Sequence, residues 1–215
     1  MIGSGTYDIS PDEMVVVAAR DGAGQHGLWL APLDHRSTPR MIPGVDGDWA
    51  VFGKPGEIFF RSADGYAYRI KEDGTGLTRV VQRPVERVYG LSPDKQWLVV
   101  LEDKIAILPL NGDEPIRLQT DGFATWSPDS KWFYFEAPRG GMTAAAAGKT
   151  YAIPLHPGEL IPKAIRDGLR AEGDLARLPG VRVIEAGDVA PGLGPDVYAY
   201  SRETTQRNLF RIPVP

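Results

Sequence analysis

Three stretches of this chain predict an all-β fold, a β-propeller of about five four-stranded blades: "YDISPDEMVVVAAR", "VYGLSPDKQWLVVLED" and "TWSPDSKWFYFEA". Each joins a short apolar stretch to a Ser-Pro-Asp turn and then to an apolar strand. A second recurrence follows each of them, in "GLWLAPL", "KIAILPL" and "KTYAIPL". A third is the spacing of the turn prolines Pro11, Pro55, Pro93, Pro128 and Pro195, which stand 44, 38, 35 and 67 residues apart. A period of about 40–45 residues with four strands per unit marks a propeller, whose blades must stack because one alone cannot bury both of its faces.

The elements follow in order. In the turn, Ser suits the first position, Pro fixes φ at the second, and Asp bonds its own backbone two residues on. The alternating apolar run after it is the second strand and the x-Pro-Leu run is the third. Shorter β-like pieces, "TPRMIP", "EPIRLQT" and "GELIPKA", close the units. Two weaker copies run from Asp48 to Val81 and from Val181 to Pro215. The expected blades span residues 5–44, 45–84, 85–121, 122–162 and 181–215 of a single domain, 1–215, with an insertion at 163–180. That insertion, between blades four and five, carries the one helix expected, Glu172 to Leu178, stopped by Pro179-Gly180. The last blade has strands near Val181–Glu185, Val197–Ser201 and Asn208–Val214 and no fourth, so the ring is expected to be open or partial and the natural chain to extend upstream. A β-sandwich with similar turns is the alternative fold.

"WSPDSKWFYFEA", "LSPDKQWLVVLED" and "ISPDEMVVVAAR" resemble the WD-like repeats of TolB-type β-propellers, and "KEDGTGLTRVV" resembles the ending of their blades. The C-terminal stretch is similar to the end of propellers attached to bacterial Ser/Thr protein kinases and winged-helix regulators. Neither kinase motifs nor a basic recognition helix stands in this chain. The resemblance implies a fold that hosts many functions.

Composition excludes several function classes. The 42% hydrophobic and 24% charged shares over 215 residues are those of a globular domain. A net charge of −4 argues against nucleic acid or an anionic membrane as partner. Cysteine is absent, which rules out disulfides, thiolate metal sites and a Cys nucleophile. No apolar run approaches the roughly 20 residues that span a bilayer, so no membrane insertion is expected. The missing cysteines fit either side of a bacterial inner membrane, and an extracytoplasmic location is favoured over the cytoplasm.

"GGMTAAAAGKTYAIPL" ends its loop on Gly148-Lys149-Thr150, the tail of a phosphate-binding pattern. Its first position falls on Thr143 instead of Gly. A phosphate loop also needs a helix after it, whereas Tyr151 to Leu155 reads as a strand. The stretch from Pro138 to Lys149 is therefore an enlarged hairpin loop between second and third strands. Such loops share a face with the connectors between blades, and binding residues gather on loops of a rigid scaffold. His26, Arg139, Met142, Lys149, Arg166 and Arg170 are the candidate binding residues on that face. His26, His35 and His156 stand singly, with no spacing that would bring metal ligands together, and no G-x-S-x-G elbow is present. The acidic pairs Asp46/Asp48, Glu72/Asp73 and Glu102/Asp103 read as solvated turn caps, and the five tryptophans mostly as blade packing. No cofactor, metal or catalytic residue is expected. The preferred function is a non-catalytic recognition or scaffolding module for a protein, peptide or small ligand, with self-association through open blade edges. The alternative is a substrate-gating or catalytic propeller domain of a prolyl-oligopeptidase-like hydrolase, or of a lyase.

Overall fold

A computed structural model of the chain describes residues 7–20, 26–34, 37–118, 122–136, 148–166 and 175–200. The fold is an all-β propeller built from antiparallel meanders. The first sheet runs β1 (Tyr7–Ile9), β2 (Met14–Arg20), β3 (His26–Pro32), β4 (Arg40–Met41). The second runs β5 (Gly47–Phe52), β6 (Glu57–Ser62), β7 (Ala67–Lys71), β8 (Thr78–Arg79). The third is β9 (Arg87–Leu91), β10 (Trp97–Leu101), β11 (Ile105–Pro109), β12 (Ile116–Arg117). The fourth is β13 (Phe123–Trp126), β14 (Trp132–Glu136), β15 (Thr150–Pro154), β16 (Arg182–Ile184). A further pair, β17 (Val189–Gly194) and β18 (Val197–Tyr200), forms a two-stranded sheet among the described residues.

The Ser-Pro-Asp turns form as their chemistry requires. The Glu13, Lys95 and Ser130 N–H groups donate to the carbonyls of Ser10, Ser92 and Ser127 at 3.0, 2.8 and 3.0 Å. Those three donors sit at φ of 62°, 57° and 59°, the left-handed residue that follows a type I turn in a bulged hairpin. Each buried serine hydroxyl donates to the Asp two residues on and accepts the N–H that opens the next strand, from Met14, Trp97 or Trp132, at 3.0 Å. The second sheet lacks the motif and turns through Lys54-Pro55-Gly56, with glycine taking the positive φ of 79°.

Strand alternation sends successive side chains to opposite neighbours. In β6, Ile58 and Phe60 pack with Val16, Leu28 and Leu30 of the first sheet, while Phe59 packs with Leu98 and Val100 of the third. In β10, Val99 and Leu101 turn the other way, onto Phe133 and Phe135 of the fourth. Tyr134 completes the series against Ile184 and Val189. The central strands are therefore buried on both faces, and the core is a row of interfaces instead of one centre. First strands of successive sheets lie side by side, as the inner strands of a propeller do. Asp8 of β1 stitches two of them: its carboxylate accepts the Phe52 N–H at 2.7 Å and the Ile9 N–H at 2.9 Å. Burial is the main influence on that carboxyl and pushes it above its ordinary range, partly offset by these donors and by the Lys95 charge.

Two expectations about the fourth unit are corrected. "GELIPKA" is not its closing strand; Arg182–Ile184 is, with Thr150 opposite Ile184 and Ala152 opposite Arg182. The unit thus extends from 122 past 162 to 184, and the next strand starts at Val189 instead of 181. Pro157 and Pro162 bracket the "GELIP" stretch and lack the N–H a ladder needs. Ile161 instead caps the core between the third and fourth sheets. The helix of the insertion, α1 (Lys163–Arg166), begins where Glu159 accepts the Lys163 N–H at 3.1 Å. It buries Ile165 in the same core. It belongs to the connection from β15 to β16, not to a link between blades four and five. Of the helix expected at Glu172–Leu178, residues 172–174 lie outside the described residues and 176–178 form turns and a bend instead of helix. The strand expected at Asn208–Val214 lies outside the described residues. No helix among the described residues is long and apolar enough to cross a membrane.

Candidate functional site at the connector face

In each meander, the loops joining second to third strands share one end with the connectors between sheets, and the Ser-Pro-Asp turns occupy the other. At the connector end, the inner strands carry an aromatic ridge. Trp49 of β5 meets Tyr89 of β9 edge to face at 6.4 Å between ring centroids, and Tyr89 meets Phe123 of β13 at 5.1 Å. All three rings are half-buried. The Arg87 guanidinium lies 5.0 Å from the centre of the Trp49 ring, on an exposed side chain. Tyr89 also donates its hydroxyl proton to the Gly122 carbonyl at 2.7 Å, tying the third sheet to the fourth.

Backbone irregularities place these rings. The β9–β10 register shifts so that Val99 faces Gly90 and Val100 faces Val88, which leaves Tyr89 as the extra residue. The β5–β6 register shifts between Asp48 and Val51, and Trp49 takes a φ of 51°. Bulges of this kind re-aim a side chain. Gly47 makes the second one feasible, since a Cβ there would lie 2.5 Å from the Arg61 carbonyl and 2.6 Å from the Phe60 ring.

Ion pairs brace the surrounding loops. Arg61 reaches Asp48 at 3.3 Å and donates to the Val85 carbonyl at 2.9 Å, fixing the connector that leads into β9. Glu102 is buried, with Arg117 at 3.2 Å and Arg83 at 4.0 Å. Asp48 and Glu102, expected as solvated turn caps, are thus parts of this frame. Beyond β14, Glu136 accepts the Asp188 N–H at 2.8 Å, and Thr150 donates to the Ala186 carbonyl at 2.8 Å.

The residues singled out from the sequence are not brought together. Lys149 stands at the connector end, and its ammonium pairs with Glu185 at 3.0 Å. His26 opens β3 at the same end. Arg139, Met142 and Arg170 lie outside the described residues. Arg166 is exposed on α1, at the opposite end from that expected, because the insertion joins a third strand to a fourth. Trp126 confirms that placement: it adjoins the Ser127 turn and donates its indole N–H to the Leu160 carbonyl at 2.7 Å. No group of three or more His, Asp or Glu residues among the described residues could hold a metal ion.

Thr150–Pro154 follows Lys149 directly as a strand, so the segment offers no helix N-terminus to a phosphate. Lys149→Ala should leave ATP affinity unchanged in isothermal titration, at no measurable binding. It should also leave the melting temperature within about a degree or two, since an exposed pair contributes about 0–1 kcal/mol. Micromolar ATP binding that this substitution abolishes would contradict the assignment.

The four complete meanders, stacked face to face with inner strands adjacent, match solved propellers. A TolB-type protein from Agrobacterium tumefaciens aligns with a TM-score of 0.59 at 15% identity, over 72% of this chain and 63% of that one. The fold is a β-propeller, like that of this protein. TolB from Acinetobacter baumannii aligns with a TM-score of 0.57 at 17% identity, over 70% of this chain and 40% of that one. The chain therefore spans from two-fifths to just under two-thirds of the length of these TolB-type proteins. The β-propeller domain of the Trilobed protease from Pyrococcus furiosus aligns at 10% identity with a TM-score of 0.45, over 71% of this chain and 55% of that one. No family model matches the sequence, and no curated protein does.

The aromatic ridge was missed from the sequence because tryptophans in strands read as packing residues. One signal was available. Val88 and Leu91 both pack toward the second sheet, three positions apart, although a regular strand repeats every two. That break announces a bulge, and the residues between are Tyr89 and Gly90.

Proposed function

We propose that this propeller is a non-catalytic recognition module that binds a protein segment at its connector face. The Trp49–Tyr89–Phe123 ridge is the contact surface and Arg87 its charged anchor. The observation that carries this reading is the ridge itself: three half-buried rings held edge to face by three successive inner strands, with an exposed guanidinium over the first. Tryptophan, tyrosine and arginine dominate binding hot spots, because each combines a large apolar surface with a polar tip. Rigid strands also hold the rings at little entropic cost. The likeness to TolB-type propellers supports an extracytoplasmic location as part of the same proposal.

The test is a selection of linear peptides against the immobilised protein, followed by titration of the enriched sequences. Trp49→Ala and Arg87→Ala should each weaken the selected peptides at least tenfold. Arg166→Ala, at the other end of the molecule, should leave them unchanged. Equal affinity across all four proteins would place the binding surface elsewhere.

A further inference from the structure

The arginines that frame the aromatic ridge are committed to carboxylates, and Arg87 is not. Arg61 holds Asp48 at 3.3 Å, while Arg117 and Arg83 share Glu102 at 3.2 and 4.0 Å. Asp48 adjoins Trp49 in β5, and Glu102 adjoins Leu101, the cross-strand partner of Arg87. Arg87 itself has no carboxylate in ion-pair contact among the described residues. Its guanidinium lies over the Trp49 ring at 5.0 Å.

That contact engages the charge and leaves the N–H groups unspent. A cation over an aromatic face is held by the quadrupole of the ring. The five N–H donors of a guanidinium form a planar fork that matches a carboxylate in two parallel bonds. Resting on Trp49 also restricts a long side chain in advance, which lowers the entropy lost on binding. A phosphate would bring a charge of about −1.5 to −2 and is ordinarily met by a cluster of arginines. Here the carboxylates of Asp48 and Glu102 already occupy the other arginines and would repel it. One open fork fits one carboxylate.

The strand beside the ridge is open as well. Gly90 is the cross-strand partner of Val99, which packs toward the fourth sheet, so Gly90 faces the same way as Tyr89. A Cβ at Gly90 would meet no described atom within 4 Å. The bulge that raises Tyr89 therefore leaves bare backbone next to it, a notch that lets another chain approach closely.

We infer, on the reading that the ridge takes a protein segment, that the segment is acidic. It sets an Asp or Glu carboxylate against the Arg87 guanidinium, its apolar side chains meet the rings, and its backbone crosses the Gly90 notch.

Two pools of synthetic octapeptides, acetylated and amidated, test this by fluorescence anisotropy with the same uncharged label. Both carry mixed Trp, Phe, Leu and Met around a central residue, which is Asp in one pool and Asn in the other. The parent should bind the Asp pool at least about tenfold more tightly, the usual worth of a charge-assisted bond. Arg87→Gln should erase that difference, and Arg87→Lys should recover only part of it, because an ammonium lacks the fork. Gly90→Val should weaken both pools at least tenfold with an unchanged circular dichroism spectrum, since it fills open space. Equal binding of both pools by the parent, each weakened by Trp49→Ala, would overturn the acidic partner and leave the ridge standing. A preference for Asp that survives Arg87→Gln would also overturn it, and a Gly90→Val protein that binds like the parent would overturn the path across the notch. Binding of neither pool would overturn both readings.

Discussion

Phe133→Ala should lower the stability of this protein by about 3–5 kcal/mol, the cost of emptying a phenylalanine site in a packed core. For a chain of this length that is a fall of roughly 6–20 °C in melting temperature. Phe133 is fully buried, with its ring edge-on to Trp126 at 5.6 Å and Val99, Ile107 and Ile153 in the same core. Little can collapse into the space. Its neighbours sit on two sheets whose separation is set along their whole length, so the cavity would remain. Tyr134→Phe, one residue on, is the control. That side chain points to the other face, and its hydroxyl makes only a long bond to the Gly194 carbonyl at 3.4 Å. The control should cost less than about 1 kcal/mol. Because each sheet touches only its neighbours, added amide exchange in the alanine variant should concentrate in the third and fourth sheets. Protection lost equally in the first sheet would contradict a core made of separate interfaces.

The same alternation explains what the sequence made legible. "WFYFE" and "WLVVL" are continuous apolar runs, which read as strands buried on both sides, and both are so buried. Ser-Pro-Asp fixed the hairpins because its three residues are nearly sufficient for that turn by themselves. The weaker signals failed where the outcome depended on distant partners. Arg182–Ile184 has only three residues, and nothing local says whether such a strand ends one blade or begins the next. Its place is decided by Ile184, buried beside Tyr134 and Val189. Once that strand moves into the fourth sheet, the insertion moves to the Ser-Pro-Asp end, and Arg166 goes with it. The candidate site had a similar history. Loops on the connector face are where contacts are expected, but none of His26, Arg139, Met142, Lys149, Arg166 and Arg170, the residues read there from the sequence, belongs to the ridge. The ridge depends on two bulges, and a bulge is legible only as a break in period two.

Ser127→Ala should cost about 1–3 kcal/mol although it removes one oxygen atom, because the deletion strands a buried donor. The Ser127 hydroxyl accepts the Trp132 N–H at 3.0 Å and donates to Asp129 Oδ1 at 2.7 Å, and the residue is fully buried. Alanine leaves the Trp132 N–H with no acceptor in a space already filled by the turn. The change also has a signature in pH. The Ser127 hydroxyl is the first influence holding the Asp129 carboxyl below its ordinary range, with the Lys131 N–H and ammonium helping against desolvation. A carboxyl depressed in the folded state favours folding above its unfolded pKa, about 3.9, and that contribution is lost as pH falls through the lower folded value. In the alanine variant the folded value should rise toward the ordinary range, so the acid limb of its stability curve should be shallower than the parent's. Denaturant midpoints measured from neutral pH down to about pH 3, with the Asp129 titration followed by NMR, check both parts. A destabilised variant whose Asp129 titrates as before would show that the hydroxyl acts only as an acceptor for the strand. An unchanged midpoint would mean that the turn holds without its serine, and that its recurrence at Ser10 and Ser92 has another cause.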